Sequence, residues 1–257
     1  MNLVVLGSGS YSGTPKPLCD CENCSRARIN PALRRTRFSL YFEKALVDPS
    51  PDLRYHLVGL NRKVEKVFIT HAHFDHIAGF PELQVFGELD VYSHSQGIET
   101  AKHLASLFLG GASPGNRVWR YHDIPFNGWF ELGGMRVFHF RTVHRSIENS
   151  GGFVFELKGK KIAVTGDTGP EILDDREAIK AMEGADLLIA EMTHRESVPG
   201  THLGVKDAIG LARKVGAGYT VFAHISHSNY THEVLEKRVR EAGVIGEVAR
   251  DFTWIEV

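Results

Sequence analysis

Thr70-His71-Ala72-His73-Phe74-Asp75-His76-Ile77-Ala78-Gly79 places three imidazoles and one carboxylate within six residues. It directly follows a run of β-branched and aromatic residues that is typical of a strand. Since His71 and His73 are two positions apart, an extended backbone presents them on the same side. Asp75 and His76 follow where the chain should turn into a helix, so they can face a second ion. Imidazole with carboxylate favours zinc, manganese or iron over magnesium or calcium.

Length and charge limit the class of protein. The 257 residues, of which 42% are hydrophobic and 24% charged, suffice for one α/β domain with a buried core. No linker, low-complexity segment or short repeat interrupts the chain, so we predict a single domain over residues 1–257. The formal net charge of -1 gives no bulk attraction for a polyanion. An extended nucleic acid is therefore not expected as a partner, although Arg34, Arg35 and Arg37 could form a local basic patch.

The N-terminal sequence and the lengths of the apolar runs indicate the cellular location of the protein. The chain begins with an apolar, strand-like run rather than a cationic leader, and no apolar run approaches the ~20 residues of a membrane helix. These features predict a cytoplasmic protein with no membrane partner. The sequence does not set the oligomeric state, and a homodimer is compatible with it.

The cysteines form one cluster. Cys19, Cys21 and Cys24 are the only three in the chain. An odd number within six residues is a poor disulfide framework, whereas C-x-C-x-x-C turns tightly enough to aim three thiolates at one point. A structural zinc there needs a fourth ligand from a distant part of the sequence. The alternative is three reduced thiols near a turn.

Hydrophobic periodicity predicts alternating strands and helices. Strands are predicted at residues 2–6, 37–42, 44–48, 64–69, 89–92, 135–143, 152–157, 161–165, 187–190 and 219–223. Helices are predicted at 95–108, 171–183, 205–215 and 233–242. Such a series fits two sheets with helices outside.

Two glycine-containing segments are interpreted as loops. Residues 109–129 are rich in glycine and proline, and a loop of that length is typically functional, so we expect part of the substrate wall there. Residues 7–13 superficially resemble a dinucleotide-binding loop. Pro15 and Pro17 follow where the helix of such a loop should open, so we expect this segment to line the site instead.

Further polar residues lie where predicted strands end, and rigid scaffolds typically hold functional groups at such positions. They are Asp48, His144, Asp167 and His224. The remaining histidines are interpreted mostly as packed or surface residues: His56, His94, His103, His122 and His139. His194 is left open.

Taken together, these motifs resemble the metallo-β-lactamase superfamily across nearly the whole chain: T-H-x-H-x-D-H-x-x-G, a lone histidine after a strand, Gly-Asp-Thr-Gly after a hairpin, and a late Ala-His-Ile-Ser. The resemblance implies a four-layer αβ/βα sandwich with a dinuclear site along one edge. By position it implies that one ion is bound by His71, His73 and His144, and the other by Asp75, His76 and His224. Asp167 would bridge the two ions, and Asp48 would orient a ligand.

Two further features of the sequence resemble features of the PhnP-type phosphodiesterases of carbon–phosphorus lyase operons. His227, three residues after His224, would complete a structural Cys3His zinc site, with His232 as the second choice. Thr201-His202-Leu203-Gly204 opens a helix, and in that family a histidine at this point reaches into the active site.

The resemblance implies an enzyme that hydrolyses a phosphodiester with two divalent ions, zinc or manganese. The modest charge favours a small or cyclic nucleotide-like substrate. Besides the bridging Asp167, His202 would be catalytic, donating a proton to the leaving oxygen or a hydrogen bond to the phosphoryl group. Arg145 could approach the same oxygens, and an exposed arginine with no such role is an equal alternative.

Rival functions share parts of this pattern. A PqqB-like protein of cofactor biosynthesis resembles the same cysteine arrangement, and a tRNA 3′-processing nuclease shares the ligands but normally carries a protruding arm. A thioesterase or β-lactamase would not explain the cysteines or His202, and a diiron oxygen-reducing protein would have glutamate in place of His73. A metal-free binding scaffold is disfavoured because every expected ligand is present.

Overall fold

The computed structural model describes residues 1–113 and 115–257. Its strands are β1 (Asn2–Gly7), β2 (Ser39–Phe42), β3 (Ala45–Val47), β4 (Lys66–Phe68), β5 (Glu88–Ser93), β6 (Val118–Asp123), β7 (Gly128–Glu131), β8 (Met135–Arg141), β9 (Gly151–Leu157), β10 (Lys160–Val164), β11 (Leu187–Glu191), β12 (Tyr219–Ala223), β13 (Gly246–Val248) and β14 (Thr253–Glu256). They form two sheets, with the orders β14-β1-β2-β3-β4-β5-β6 and β13-β12-β11-β10-β9-β8-β7.

Helices connect the strands and cover the outer faces of the sheets. They are α1 (Glu22–Ile29), α2 (Leu53–Leu60), α3 (Phe74–Ile77), α4 (Ser95–Leu109), α5 (Arg176–Met182), α6 (Val205–Val215) and α7 (His232–Glu241). Short 3₁₀ helices lie at Pro31–Leu33, Phe80–Val85 and Pro170–Asp174. No helix in these described residues has the length and apolar character that crossing a bilayer requires.

The core has three parts, which define four layers. Alternate residues of a strand point to opposite faces, and β1 is buried on both. Leu3 and Val5 belong to the cluster between the two sheets, whereas Val4 and Leu6 belong to a second cluster that includes residues of α2 and α4. A third cluster joins the second sheet to α5, α6 and α7. The predicted αβ/βα sandwich is confirmed.

Parallel pairing brings the ends of distant strands together. In the second sheet β10, β11 and β12 are parallel neighbours, and in the first sheet so are β3, β4 and β5. Neighbouring parallel strands end at the same edge of a sheet, which is where ligand-binding loops of α/β proteins collect. The segments that carry the predicted ligands follow β3, β4, β10 and β12 at these edges.

Several predicted elements were wrong. Residues 109–129 include β6 and the first two residues of β7 rather than a continuous loop, because these strands extend the edges of the two sheets; Pro114 lies outside the described residues. The predicted helix 171–183 is a 3₁₀ turn followed by α5, which begins where the Asp175 side chain accepts hydrogen bonds from the N–H groups of Glu177 and Ala178. Helices α1 and α2 and strands β13 and β14 were not predicted.

Candidate metal centre

His71, His73 and His144 converge, although the chain separates the last from the first by more than seventy residues. His73 Nδ1 lies 3.0 Å from His71 Nε2 and 3.1 Å from His144 Nε2. One neutral imidazole nitrogen has a single lone pair, so it cannot accept hydrogen bonds from both neighbours. Ligand atoms of a tetrahedral zinc ion with bonds of about 2.0–2.1 Å lie roughly 3.3 Å apart. The spacing fits three ligands of one ion.

A second group contains Asp75, His76, Asp167 and His224, all buried. His76 Nε2 is 3.4 Å from Asp75 Oδ2 and 3.3 Å from Asp167 Oδ2. His224 Nε2 is 3.3 Å from Asp75 Oδ2 and 3.4 Å from Asp167 Oδ1. Within the described chain, His76 Nε2 is a buried nitrogen without a hydrogen-bond partner. An unpaired buried nitrogen amid carboxylate oxygens fits a metal ligand.

Asp167 lies between the two groups. Its Oδ2 is 3.8 Å from His71 Nε2 and 3.9 Å from His144 Nε2, besides its contacts to the second group. It follows β10 after Gly166, which has a φ of +60°; a Cβ at Gly166 would lie 2.6 Å from the carbonyl oxygen of Gly151. This position therefore needs glycine. The position of Asp167 would allow its carboxylate to be shared by two ions.

Neighbouring side chains orient the imidazoles. His76 Nδ1 donates to Asp48 Oδ2 at 2.7 Å, and Asp48 also accepts from the backbone N–H and hydroxyl of Thr70. His144 Nδ1 donates to the carbonyl of Thr201 at 2.8 Å. These bonds leave the Nε2 atoms of both histidines for metal binding, the usual function of such outer partners.

The ionisation states of the buried side chains in these two groups favour a bound cation. Burial lowers the pKa of His71 well below its ordinary value, which keeps the imidazole neutral, as a metal ligand must be. Burial alone raises the pKa of Asp75, but the imidazoles of His76 and His224 bring it well below its ordinary value. Burial likewise opposes protonation of His76, and Asp167 and the other carboxylates raise its pKa well above the ordinary range. A metal ion would supply the positive charge that His76 otherwise provides.

Glu191 is a functional candidate that sequence reasoning missed. It is the last residue of β11 and is buried, with Oε1 accepting a 2.5 Å hydrogen bond from the N–H of Thr168. Its Oε2 accepts from His202 Nδ1 at 3.1 Å and from the Thr193 hydroxyl. Because β11 lies between β10 and β12, a carboxylate at its end falls between Asp167 and His224. A carboxylate ending an otherwise apolar strand was the available signal.

His202 is held by this carboxylate at the side of the metal groups. Burial lowers the pKa of His202, but the carboxylates of Glu191 and Asp167 override it and raise the pKa to about 9. With Nδ1 bound to Glu191, Nε2 is the nitrogen available to a ligand. Glu191 and His202 also form, with Asp167 and His224, a further group whose donor atoms lie within 4.8 Å of one another.

The sequence model of the family described as "Beta-lactamase superfamily domain" matches residues 43–225. The chain belongs to this superfamily. The match includes all seven residues of the first two groups and leaves out the cysteine cluster. With the sandwich fold, the chain has the metallo-β-lactamase architecture and superfamily membership that its motifs predicted.

Several known proteins are similar to this chain. An octanoyltransferase of Porphyromonas gingivalis is 26% identical over 245 residues, which cover 91% of this chain and 47% of that protein. The match to the crystal structure of a diphosphatase from the PhnP family covers 100% of this chain and 97% of the diphosphatase chain, with a TM-score of 0.80 and 24% identity. Zinc-bound PqqB from Methylobacterium extorquens covers 100% of both chains, with a TM-score of 0.81 and 20% identity.

The structural matches and the sequence matches support different conclusions. The two structural matches establish the fold. The chain spans about half the length, or less, of the first curated relatives that it matches.

The cysteine cluster meets a histidine from the other end of the chain. His227 Nδ1 lies 3.4 Å from Cys19 Sγ and 3.5 Å from Cys21 Sγ, and Cys24 Sγ belongs to the same group. Zinc–sulfur bonds of about 2.3 Å with a zinc–nitrogen bond of about 2.05 Å give an S···N spacing of roughly 3.5 Å. Burial raises the pKa of the Cys24 thiol to about 12, so its thiolate needs a nearby cation. These residues fit a Cys3His zinc site.

The structure distinguishes the two histidines proposed as the fourth ligand. His232 Nδ1 lies 3.1 Å from a guanidinium nitrogen of Arg35, and His232 is not part of the cysteine group. His227 is three residues beyond His224, so one short segment links the two candidate metal sites. Asn23 donates to the carbonyl of His227 at 3.0 Å, which ties this segment to α1.

A cleft of about 310 Å³ is lined by ligands from both groups and by His194 and His202. The other polar groups that line the cleft include the hydroxyls of Ser10, Ser12, Ser146, Thr193, Thr201 and Ser226. Among its lining residues in the described part of the chain, none is lysine or arginine. A substrate here would meet hydroxyls and imidazoles rather than fixed cations.

One expectation about this cleft was wrong. None of the described residues of 109–129 lines it, because β6 and β7 are edge strands of the two sheets rather than part of the site. Arg145 does not line it either: its side chain is 73% exposed and lies 3.7 Å from Glu171. The segment from Gly7 to Gly13 does contribute, through residues 10–12.

The other histidines lie outside the metal groups of the described chain. His56 contacts the Thr36 hydroxyl at 2.8 Å, His122 contacts Asp90 at 2.9 Å, and His103 is exposed. His94 and His139 both pack against Phe126. His194, left open by the sequence, lines the cleft with its ring 5.5 Å from that of His202.

Proposed function

We propose that this protein is a dinuclear phosphodiesterase acting on small or cyclic nucleotide-like diesters. The observation that carries the proposal is the pair of candidate ligand groups with Asp167 between them, beside a cleft that His202 also lines. Bound zinc or manganese ions would lower the pKa of water and neutralise charge on phosphoryl oxygens. A third ion, zinc, would occupy the Cys3His group and stabilise the fold.

The cleft supports a substrate with a single negative charge and small size. Its volume of about 310 Å³ lies at the lower end for small-molecule sites. A nucleic acid gripped along its backbone would need lysine or arginine side chains near successive phosphates, and the described lining has none. A diester needs only the charge that two metal ions and one imidazolium provide.

His202 is the proposed proton donor to the leaving oxygen. Its Nδ1–H is fixed on Glu191, so the ring presents Nε2 to a ligand without a costly reorientation. Glu191 is a positioning residue in this scheme, because it acts through His202. Thr168 and Thr193 hold the carboxylate by hydrogen bonds to its two oxygens.

Diester hydrolysis is tested by measuring turnover of a bis-aryl phosphate with added zinc or manganese, beside a thioester and a β-lactam. We expect turnover of the diester alone and its loss on chelation. Turnover confined to the thioester or the lactam would contradict the proposal. A preference for precursor tRNA over every small diester would instead favour a processing nuclease.

A PqqB-like role is the second candidate because the sequence resembles that group in its cysteine arrangement. The similarity in fold extends equally to the diphosphatase and to PqqB, with TM-scores of 0.80 and 0.81, so fold does not separate the two. A fully metallated protein inactive on every ester in the panel would favour the PqqB-like role. The cytoplasmic location and the homodimer remain predictions.

Replacing His202 by alanine is expected to lower kcat roughly 10²–10⁴-fold, the usual contribution of a positioned proton donor. The metal content should stay the same, because His202 is part neither of the group of three histidines nor of the group that contains Asp75, His76, Asp167 and His224. Glu191→Gln should lower kcat less, and the double variant should be no slower than His202→Ala alone, since the two act as a unit. Metal analysis with steady-state kinetics checks this. Loss of one metal equivalent in His202→Ala would make it a ligand instead.

A further inference from the structure

Two aromatic side chains stand exposed beside the metal groups. Tyr11 is 61% exposed and Phe74 is 52% exposed. Their ring centroids are 6.0 Å apart and the rings are inclined at 55°. Single exposed aromatic residues are common on protein surfaces, but two in contact with each other form a small apolar patch.

The position of the pair relates it to the cleft. Tyr11 is one of the lining residues, and Phe74 is the first residue of α3, between the candidate ligands His73 and Asp75. Tyr11 places the pair at the cleft, and Phe74 is adjacent in sequence to one residue of each metal group. A substrate with its phosphorus at the ions could extend one substituent toward these rings.

The backbone that carries Tyr11 is held in place. The N–H of Ser10 donates to the carbonyl of Ile225 at 3.2 Å, and the N–H of Gly13 donates to the carbonyl of Ser10 at 2.8 Å. Arg37 Nε donates to the carbonyl of Tyr11 at 3.1 Å. A preorganised ring binds a partner at lower entropic cost than a mobile one.

The chemistry of the cleft leaves these rings a distinct function. Its described lining consists of hydroxyls, imidazoles and carboxylates apart from the Tyr11 ring. Hydroxyls, carboxylates and metal ions can bind a phosphoryl group but give no favourable contact to the flat apolar face of a base. Aromatic side chains stack on nucleobases with little sequence preference, because every base has a π-face.

We propose that Tyr11 and Phe74 form a stacking platform for the base of a nucleoside-containing phosphodiester. This inference rests on the proposed phosphodiesterase function and narrows it to substrates in which one ester group carries a nucleobase. The phosphoryl group lies at the metal groups and the base lies over the two rings at the cleft.

The experiment compares two diesters that differ only in the base: the methyl ester of adenosine 5′-phosphate and the methyl ester of ribose 5-phosphate. We expect wild-type kcat/KM to favour the nucleoside diester about tenfold, in the range of one base–aromatic stack. Tyr11→Ala and Phe74→Ala should each remove most of this preference, because kcat/KM for the adenosine diester should fall much more than kcat/KM for the ribose diester. Tyr11→Phe should keep it, because stacking uses the ring rather than the hydroxyl.

The matched control is Phe108→Ala, which removes a phenylalanine that is 63% exposed on α4 and does not line the cleft. Phe108→Ala should leave kcat/KM unchanged for both the adenosine diester and the ribose diester. Equal wild-type rates on the two diesters, or equal losses on both in the Tyr11 and Phe74 variants, would overturn the stacking platform and leave the phosphodiesterase function standing.

A binding measurement separates the two hypotheses if neither diester is hydrolysed. That result would overturn the phosphodiesterase function. Calorimetric titration of the metallated protein with adenosine 5′-phosphate and with ribose 5-phosphate then tests the rings. Tighter binding of the adenosine compound that is lost in Tyr11→Ala supports the platform, and equal affinities refute it.

Discussion

Replacing Asp167 by alanine is expected to abolish turnover and to remove metal from the site. Asp167 contacts histidines of both groups, so its loss affects both ions at once. Each metal ion supplies several kcal/mol of transition-state stabilisation, so kcat/KM should fall at least about a thousandfold. Metal analysis of the purified variant and diester kinetics measure the two effects.

The control for Asp167 is Asp174→Ala, which removes an exposed aspartate outside the cleft. It should retain full activity and metal content. Thermal unfolding gives an independent readout, because a ligand that binds only the folded state raises the melting temperature. Zinc or manganese should stabilise the wild type more than Asp167→Ala. An Asp167→Ala protein with both ions and normal turnover would refute the shared carboxylate.

Replacing Cys21 by serine is expected to remove about one zinc per chain and to destabilise the protein. The site joins the segment before α1 to the segment after β12, over two hundred residues apart in sequence. Metal binding at such a site contributes directly to folding free energy. We expect a loss of about 3–5 kcal/mol, which for a domain of this size lowers Tm by about 10 °C. Metal analysis and calorimetry check the prediction.

Two histidine variants test which histidine is the fourth ligand of the cysteine group. His227→Ala should lose the same zinc equivalent as Cys21→Ser, because its Nδ1 lies 3.4 Å from Cys19 Sγ. His232→Ala should keep that zinc, because its ring contacts Arg35 instead. In every case the ions at the Asp167 cluster should remain. An unchanged zinc content in both Cys21→Ser and His227→Ala would show that the cysteines bind no metal.

Two candidate site residues adopt backbone conformations that are unfavourable for side chains other than glycine. Asp48 and His224 both have a φ of +56°. The left-handed region costs about 1–2 kcal/mol for such residues and is maintained where the surroundings require it. At His224 the requirement is a ring whose Nδ1 lies 2.8 Å from the Thr193 hydroxyl while Nε2 points at two carboxylates.

The sequence by itself determined the fold class and most candidate metal ligands. The T-H-x-H-x-D-H motif is local, so its strand, loop and helix follow from adjacent residues and from the twofold alternation of an extended chain. Asp48, His144, Asp167 and His224 were identifiable because each follows a predicted strand. The predicted contact of Asp48 with a ligand is present at His76.

Only the tertiary structure decided which distant groups meet. The convergence of Glu191 with His202, the choice of His227 over His232, and the pairing of Tyr11 with Phe74 each depend on how the two sheets stack and on which strand ends adjoin. Hydrophobic periodicity shows where a strand ends but not which strands are its neighbours, because hydrogen bonds between strands are indifferent to sequence separation. The same limit explains residues 109–129, whose β6 and β7 become ordered by pairing with β5 and β8.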